Sequence, residues 1–528
     1  MVGLVSLLAA VISIAGMPLS TQTEVTGSLE LTVKTNETTY FRGSLSSDRP
    51  LEGVVVLNQQ GEIVKILLGK GEQESDIYWL ATESAQYKIQ IRSLPGQTAN
   101  VTLNLRQLPL KKNQNIAPSL PLISPLLEHT QQAINNGHKD AEDKFWEYVS
   151  EQGTPLIEPT EKGMQLLTFL WQGDESNVRV LGSPYEGHAH LARLPQSNIW
   201  YKSYVVPADT RLSYQLAPNV PQIITEGVAE SRTEQRRAVL ATSQVDPLNH
   251  NPPFAKDDHR LGASSTVSLH DAPDDSVTHN LGNPQGQLHH YTYFSKMLGN
   301  TRRITVYVPN KKYPLTPQSP LLVLFDGDSY LGQVPTPRIL DNLIASGEIP
   351  PLHAVFINNP LPSLRSAELT PNDQFADFMA QEFKPYLCSR YDICPRAQET
   401  ILSGSSFGGL ASMSIAFRHP EAFGAVLSQS GSFWWHQENE GNLWMIDQVA
   451  NAEPKNLNIY LNAGLFESAG EDSILGTNRL LYTELKNKGY PVVFQQVSGG
   501  HDYFAWRVML AHGLIQLFKN KEKGSYNQ

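Results

Sequence analysis

The chain has 528 residues, 40% hydrophobic and 18% charged, a composition that can bury sizeable cores. A length of this order predicts roughly three domains. The formal net charge of −11 argues against nucleic acid or an anionic membrane surface as a partner, and any anionic ligand would need a local basic pocket.

The first element is the apolar run Val2 to Met17, broken by Ser6, Ser13 and Gly16 and short for a membrane span. It reads as the apolar core of a signal peptide over residues 1–21, although no Lys or Arg precedes Lys34 and no clear A-x-A cleavage site follows. Export to the periplasm, with no integral span in the mature chain, is the expectation; a buried first strand and a cytoplasmic location are the alternative. Residues 22–110 alternate apolar and polar in short runs such as Gly53–Leu57, Ile63–Leu67 and Tyr87–Ile91, which predicts a small β-sandwich of accessory character. A polar, proline-containing linker follows from Lys111 to Ser124.

Residues 125–228 form a second, aromatic-rich β domain. Its predicted elements are a helix over Asp143–Gly153 and strands over Leu166–Trp171, Val178–Leu181, Trp200–Tyr204 and Leu212–Leu216. Residues 229–287, rich in Asp, Pro, Asn and Ser, read as a long connection wrapping a surface. From residue 288 to 528 the pattern changes. Near-continuous apolar strands at Arg303–Val308, Leu321–Phe325, Ala354–Ile357, Thr400–Leu402, Ala425–Ser428, Ile459–Leu461 and Val492–Phe494 alternate with helix-length segments. That is an α/β domain with a mostly parallel sheet covered on both faces, whose functional residues gather beyond the carboxyl ends of the strands.

Within it, Thr400-Ile401-Leu402 runs into Gly404-Ser405-Ser406-Phe407-Gly408-Gly409 and then a helix-compatible Leu410-Ala411-Ser412-Met413. A serine on a sharp strand-to-helix turn needs Gly404 and Gly408 so that neighbouring backbone and helix can approach, and the first helical N–H groups point at the site where an oxyanion forms. About 95 residues on, a strand ends at Gly499-Gly500-His501-Asp502, and between the two lies Ile459–Gly464 followed by Glu467. The order serine, acid, histidine, each just past a strand, is that of the α/β-hydrolase fold. Ser406 is the expected nucleophile, His501 the base and Glu467 the acid, with Glu471, Asp472 and Asp502 competing for the last role. Phe407 and the Gly327-Asp328 loop are the expected oxyanion donors, and Asp326 a loop-shaping residue. Cys388 and Cys394 flank five residues; after export they would close a small disulfide loop, and in a reducing compartment they would be two thiols. No paired histidines or further cysteines stand near them, and neither a metal nor a cofactor is expected.

From Phe145 to Phe518 the chain resembles the enterochelin (enterobactin) esterases. The resemblance rests on Phe145-Trp146, Gly153–Leu156, Thr168–Trp171, Trp200–Tyr204, Asp246-Pro247-Leu248-Asn249, Asp326-Gly327, Arg365–Leu369, the Ser406 turn, Leu427–Trp435 and Gly499–Arg507. It implies a serine esterase that opens the trilactone of a catecholate siderophore, ferric or iron-free, and so aids iron release. It also implies Arg365 and Arg507 as cations for an anionic substrate, with Trp434, Trp435 and Trp506 as aromatic faces. The chain departs from the family in having Asn358 where Asp is usual, Phe466 where an Arg usually precedes the glutamate, a longer loop after Glu467, and the sandwich at 22–110. A feruloyl-type or general carboxylesterase on the same scaffold is one alternative, and a non-catalytic siderophore-binding module another. Nothing in the sequence sets the oligomeric state.

Overall fold

The computed structural model describes residues 9–10, 18–82, 85–161, 163–224, 231–255, 262–437, 441–470 and 472–525. Three layered units follow one another along the chain. The first is a β-sandwich. Strands Ser28–Lys34, Gln86–Ser93, Leu51–Leu57 and Ile63–Leu68, edged by Ala9–Ala10, face the sheet of Leu19–Thr26, Thr98–Leu108, Thr39–Ser47 and Glu74–Ala81. The alternation read from the sequence puts Val33, Phe41, Val54, Ile77, Ile89 and Val101 between the sheets, with Phe41 stacked on Trp79 at 4.8 Å. The boundary expected at residue 21 falls inside a paired strand, because Leu19 already opposes Leu105. Most of the expected signal segment, residues 1–8 and 11–17, lies outside the described residues.

The second unit is also two-sheeted. One sheet is built of Leu156–Pro159, Met164–Gln172, Ile199–Pro207 and Ala192–Arg193, the other of Gly187–His190, Val178–Ser183, Arg211–Pro218 and Ser265–Ser268. The helix expected over Asp143–Gly153 is Ala141–Gln152, stopped at Gly153 in a positive-φ conformation (φ 80°). A second helix, Pro125–Asn135, goes beyond the sequence reading; Ser124 caps it, accepting from the Leu127 N–H. Together the two cover one face with Leu127, Phe145, Trp146 and Val149.

The segment 229–287 is more than a connection. Ser231–Thr242 is a helix whose Ala238, Val239 and Ala241 are buried against Tyr40, Leu80 and Leu108 of the first unit and Ala217, Val220 and Ile223 of the second. Its Glu234 makes a buried bidentate pair with Arg42 of the first sandwich, at 2.7 and 2.9 Å. A helix that presents so narrow an apolar stripe and several arginines carries little periodicity, which explains why the sequence reads as a linker.

The third unit holds an eight-stranded sheet. In chain order its strands are Gln287–Ser295, Asn300–Val308, Leu321–Leu324, His353–Ile357, Thr400–Ser405, Ala425–Gln429, Asn458–Gly464 and Val492–Val497. They lie side by side as first, second, fourth, third, then fifth to eighth. The first two are antiparallel to their neighbours and the rest are parallel. Seven match the apolar runs in the sequence. The first does not, since its His289-His290 stretch is an exposed edge. Two apolar layers, one around Phe378 and Met413 and the other around Leu340 and Leu514, cover the two faces.

Candidate active site

The fifth strand ends at Ser405, and Ser406 turns the chain with φ 58° and ψ −120° before the helix Phe407–Arg418 begins. Gly404 is what permits so sharp a turn: a Cβ there would stand 2.7 Å from the Gly408 carbonyl carbon and 2.8 Å from its oxygen. Gly408 itself has room, its nearest would-be contact being Asp326 Oδ2 at 3.4 Å, so of the two glycines singled out in the sequence only Gly404 is sterically required. Gly409 is tighter, since a Cβ at that position would meet Ser428 Oγ at 2.5 Å. The Ser406 N–H donates to the Gln429 carbonyl, which ties the turn to the end of the sixth strand. The Ser406 hydroxyl lies 3.2 Å from Ser432 Oγ and makes no described hydrogen bond to His501; such contacts commonly tighten only when substrate is bound.

Of the four carboxylates weighed in the sequence, the one that meets His501 is Glu467, with Oε1 at 2.5 Å from Nδ1. Its other oxygen, Oε2, accepts from Ser430 Oγ at 2.7 Å and from the Gly464 N–H at 2.5 Å. Ser430 Oγ in turn accepts from the Trp506 indole N–H at 2.9 Å, and the Trp506 ring stands edge-on to His501 at 4.8 Å. Thus the acid is satisfied on both oxygens and cannot rotate away from the imidazole without breaking several bonds. Asp502 points elsewhere, accepting from the Ala505 N–H at 3.0 Å; burial pushes its carboxyl up to about 6. Asp472 lines the cavity beside Glu467 without reaching His501, and Glu471 lies outside the described residues.

The third strand leads into Asp326, held in the left-handed region at φ 53°, and then into the short helix Gly327–Leu331. Gly327 and Phe407 each open a helix, where no intrahelical carbonyl reaches their N–H groups. Asp328 does not fit the expected oxyanion role. Its N–H already donates to Asn358 Oδ1 at 2.9 Å, and its carboxylate is held by Asn358 and Arg303.

The expected substrate contacts are also redistributed. Arg365 spends its charge on Asp326, through two bonds of 2.6 and 2.7 Å, and its guanidinium lies 5.8 Å from the Phe407 ring. Glu368, its nearby acid in sequence, is instead buried against Arg302. Arg507 pairs with Asp275 at 3.0 Å and stacks on Phe504, so it joins the catalytic unit to the second β unit. Trp506 is buried with its N–H on Ser430, and Trp435 packs edge-on against Trp444. Trp434 is the indole that lines the cavity beside His501, 5.9 Å from the Phe407 ring. Cys388 and Cys394 are joined in a disulfide.

That cavity has a volume of about 870 Å³ and is walled by both units. Glu467, His501 and Trp434 face His188, Gln215 and Arg236 across it. Burial, with Arg236 and Arg179 beside it, lowers His188 to about 4, so the imidazole is neutral near pH 7. Arg236 is exposed, with no carboxylate partner among the described residues. Sequence reasoning misses it because it sits in the segment that reads as a connection; the Arg236-Arg237 doublet there is the available signal. Phe466 is buried in the core of the second β unit and meets Tyr185 edge-on at 5.0 Å. Among the described residues no group of three or more His, Cys, Asp or Glu is placed to hold a metal.

The family model of the enterochelin esterase N-terminal domain matches residues 166–278, and one described as a putative esterase matches residues 295–517. An iron(III) enterobactin esterase of Escherichia coli O6:H1 is 30% identical over 335 residues, covering 62% of this chain and 82% of that protein. The chain belongs to the enterochelin esterase family. The iron(III) enterobactin esterase of Dickeya dadantii is 29% identical over 405 residues, covering 70% of this chain and 92% of its own. The solved ferric enterobactin esterase of Salmonella typhimurium has a TM-score of 0.58 at 27% identity, covering 72% of this chain and 99% of its own. This member of the enterochelin esterase family is therefore a carboxylic ester hydrolase of α/β-hydrolase fold with an N-terminal β domain. Neither family model reaches the first sandwich, whose last strand ends at Leu108.

Proposed function

We propose that this protein hydrolyses the trilactone esters of a catecholate siderophore, free or as its ferric complex, to linear 2,3-dihydroxybenzoyl-serine products by a Ser406–His501–Glu467 mechanism. The observation that carries the reading is the 2.5 Å contact of His501 Nδ1 with Glu467 Oε1, on the loops that follow the seventh and eighth strands, at the same sheet end as the Ser406 turn. Family membership supports the substrate class. Glu467 holds the proton on Nδ1, which leaves Nε2 as the basic nitrogen. His501 Nε2 takes the Ser406 proton as Oγ attacks the lactone carbonyl, and the N–H groups of Phe407 and Gly327 receive the oxyanion. Collapse expels the serine alkoxide of the substrate, which His501 protonates; water, deprotonated by the same imidazole, then releases the acid from Ser406. Trp434 offers a face for a catechol ring, and Arg236 a charge for the anionic complex, at the wall of the cavity.

We further propose that the reaction takes place in the periplasm. Support comes from the apolar Val2–Met17 run and from the Cys388–Cys394 disulfide, which persists in an oxidising compartment. Fractionation of cells expressing the full chain checks this: recovery with the cytoplasmic marker would overturn it.

The test of the activity is a chromatographic time course of enterobactin, with and without iron, under wild type and Ser406→Ala. Linear trimer, dimer and monomer should appear with wild type alone. Survival of the macrocycle, while a simple aryl ester is cleaved, would leave the esterase and remove the siderophore.

A further inference from the structure

The first sandwich, which lies outside both family matches, touches the catalytic unit at the oxyanion side of the site. Glu74, at the start of the strand Glu74–Ala81, accepts from the Ser363 N–H at 2.6 Å. Beside this bond a cleft of about 430 Å³ opens, with Pro50, Gly71 and Gln73 of the sandwich on one wall and Asp326, Arg365 and Tyr503 on the other. The sandwich therefore grips the segment that carries Arg365.

Ser363 belongs to the short turn Pro362–Leu364, which runs directly into the helix Arg365–Leu369. Pro362 has no N–H and the Leu364 N–H donates to the Leu361 carbonyl, which leaves the Ser363 N–H as the one that the Glu74 carboxylate satisfies. Fixing this turn fixes the root of Arg365. The guanidinium then pins Asp326 through two bonds and lies over the Phe407 ring. Asp326 is in a left-handed conformation that a non-glycine residue keeps only when its surroundings hold it there. The residue after it is Gly327, wedged so closely that a Cβ would come 2.9 Å from Phe356 Cβ.

We infer that Glu74 of the appended sandwich is a positioning residue for ester hydrolysis, acting through Ser363, Arg365 and Asp326 on the two N–H groups that receive the oxyanion. The inference rests on the serine-esterase reading of the site and adds to it a function for a domain that the family matches leave out. The sandwich is then a structural part of the active site as well as an attached module. Because the contact is with backbone, Glu74→Gln keeps an acceptor oxygen at the same place, and Glu74→Ala removes it.

The experiment uses the full chain and two readouts that do not depend on the siderophore: hydrolysis of a small aryl ester and the rate of Ser406 labelling by a fluorophosphonate. With Glu74→Ala, kcat and the labelling rate should fall together by about three- to ten-fold, with KM and the thermal midpoint unchanged, and Glu74→Gln should stay within about two-fold of wild type. Wild-type rates in Glu74→Ala would overturn the inference. An equal fall in both variants, accompanied by a lower thermal midpoint, would also overturn it, because the effect would then be loss of stability. If wild type itself showed no Ser406-dependent labelling, the serine-esterase reading would fall first and this inference with it.

Discussion

Ser430 carries more of the site than its small side chain suggests. Its hydroxyl donates to Glu467 Oε2 and accepts from the Trp506 indole, so it fixes the acid from behind while the imidazole holds it in front. Replacing Ser430 with Ala leaves the indole N–H unpaired and one carboxylate oxygen under-satisfied. We expect kcat to fall by about ten-fold with KM unchanged, measured on any accepted ester. Asp502, next to the base, gives a prediction about pH. Its folded pKa, about 6, is above the ordinary carboxyl value because burial disfavours the charge, so the folded state binds the proton more tightly than the unfolded state. Its contribution is therefore most favourable at low pH and is lost as pH rises from about 4 to 6. Asp502→Asn should raise the thermal midpoint at pH 7.5, change little at pH 4.5 and flatten the profile between, as followed by thermal unfolding. The sequence alone leaves four carboxylates in contention near His501. It prefers Glu467 among them, and the fold adds the decisive contact, because the Ser430 hydroxyl and the Gly464 N–H hold that carboxylate against His501 Nδ1. Likewise Arg365 and Arg507 are readable as cations, but their partners, Asp326 and Asp275, are 39 and 232 residues away in sequence and are set by tertiary packing.

At the level of the element, the strand-turn-helix around Ser406 is legible in the sequence because its causes are local: a β-branched strand, a glycine where backbones meet, and a small-residue helix behind. Gly404→Ala would force the Phe407–Arg418 helix off its strand. We expect a loss of about 2–4 kcal/mol in stability and near-complete loss of activity, whereas Gly408→Ala should retain both within a few-fold. Paired denaturant melts and kinetics on the two variants test the contrast; equal damage in both would refute it. The strands of the parallel sheet are legible for a similar reason, since burial on both faces leaves continuous apolar runs. The Ser231–Thr242 helix is not, because it is stabilised by two neighbouring units rather than by its own pattern.

Across the whole molecule, the three units are bound together by buried polar contacts as well as by apolar ones. Arg42 and Glu234 are nearly inaccessible, with side-chain exposures of 6% and 4%. Arg237 also meets Glu234, at 2.5 Å, so removing Arg42 leaves the carboxylate one partner short rather than alone, and Arg42→Ala should cost about 1–3 kcal/mol. Since the pair lies between the first sandwich and the rest, calorimetry should show the sandwich melting as a separate, earlier transition; a single transition at the wild-type temperature would contradict this. The attachment of the second β unit is different in kind. Phe466 stands directly before Glu467, yet its ring belongs to the core of that unit, against Tyr185. For protein engineering this means that the two units are not interchangeable parts. A chimera that takes its hydrolase from one parent and its β domain from another inherits a mismatched socket beneath the catalytic loop, and it should be made by transplanting the residue and its socket together.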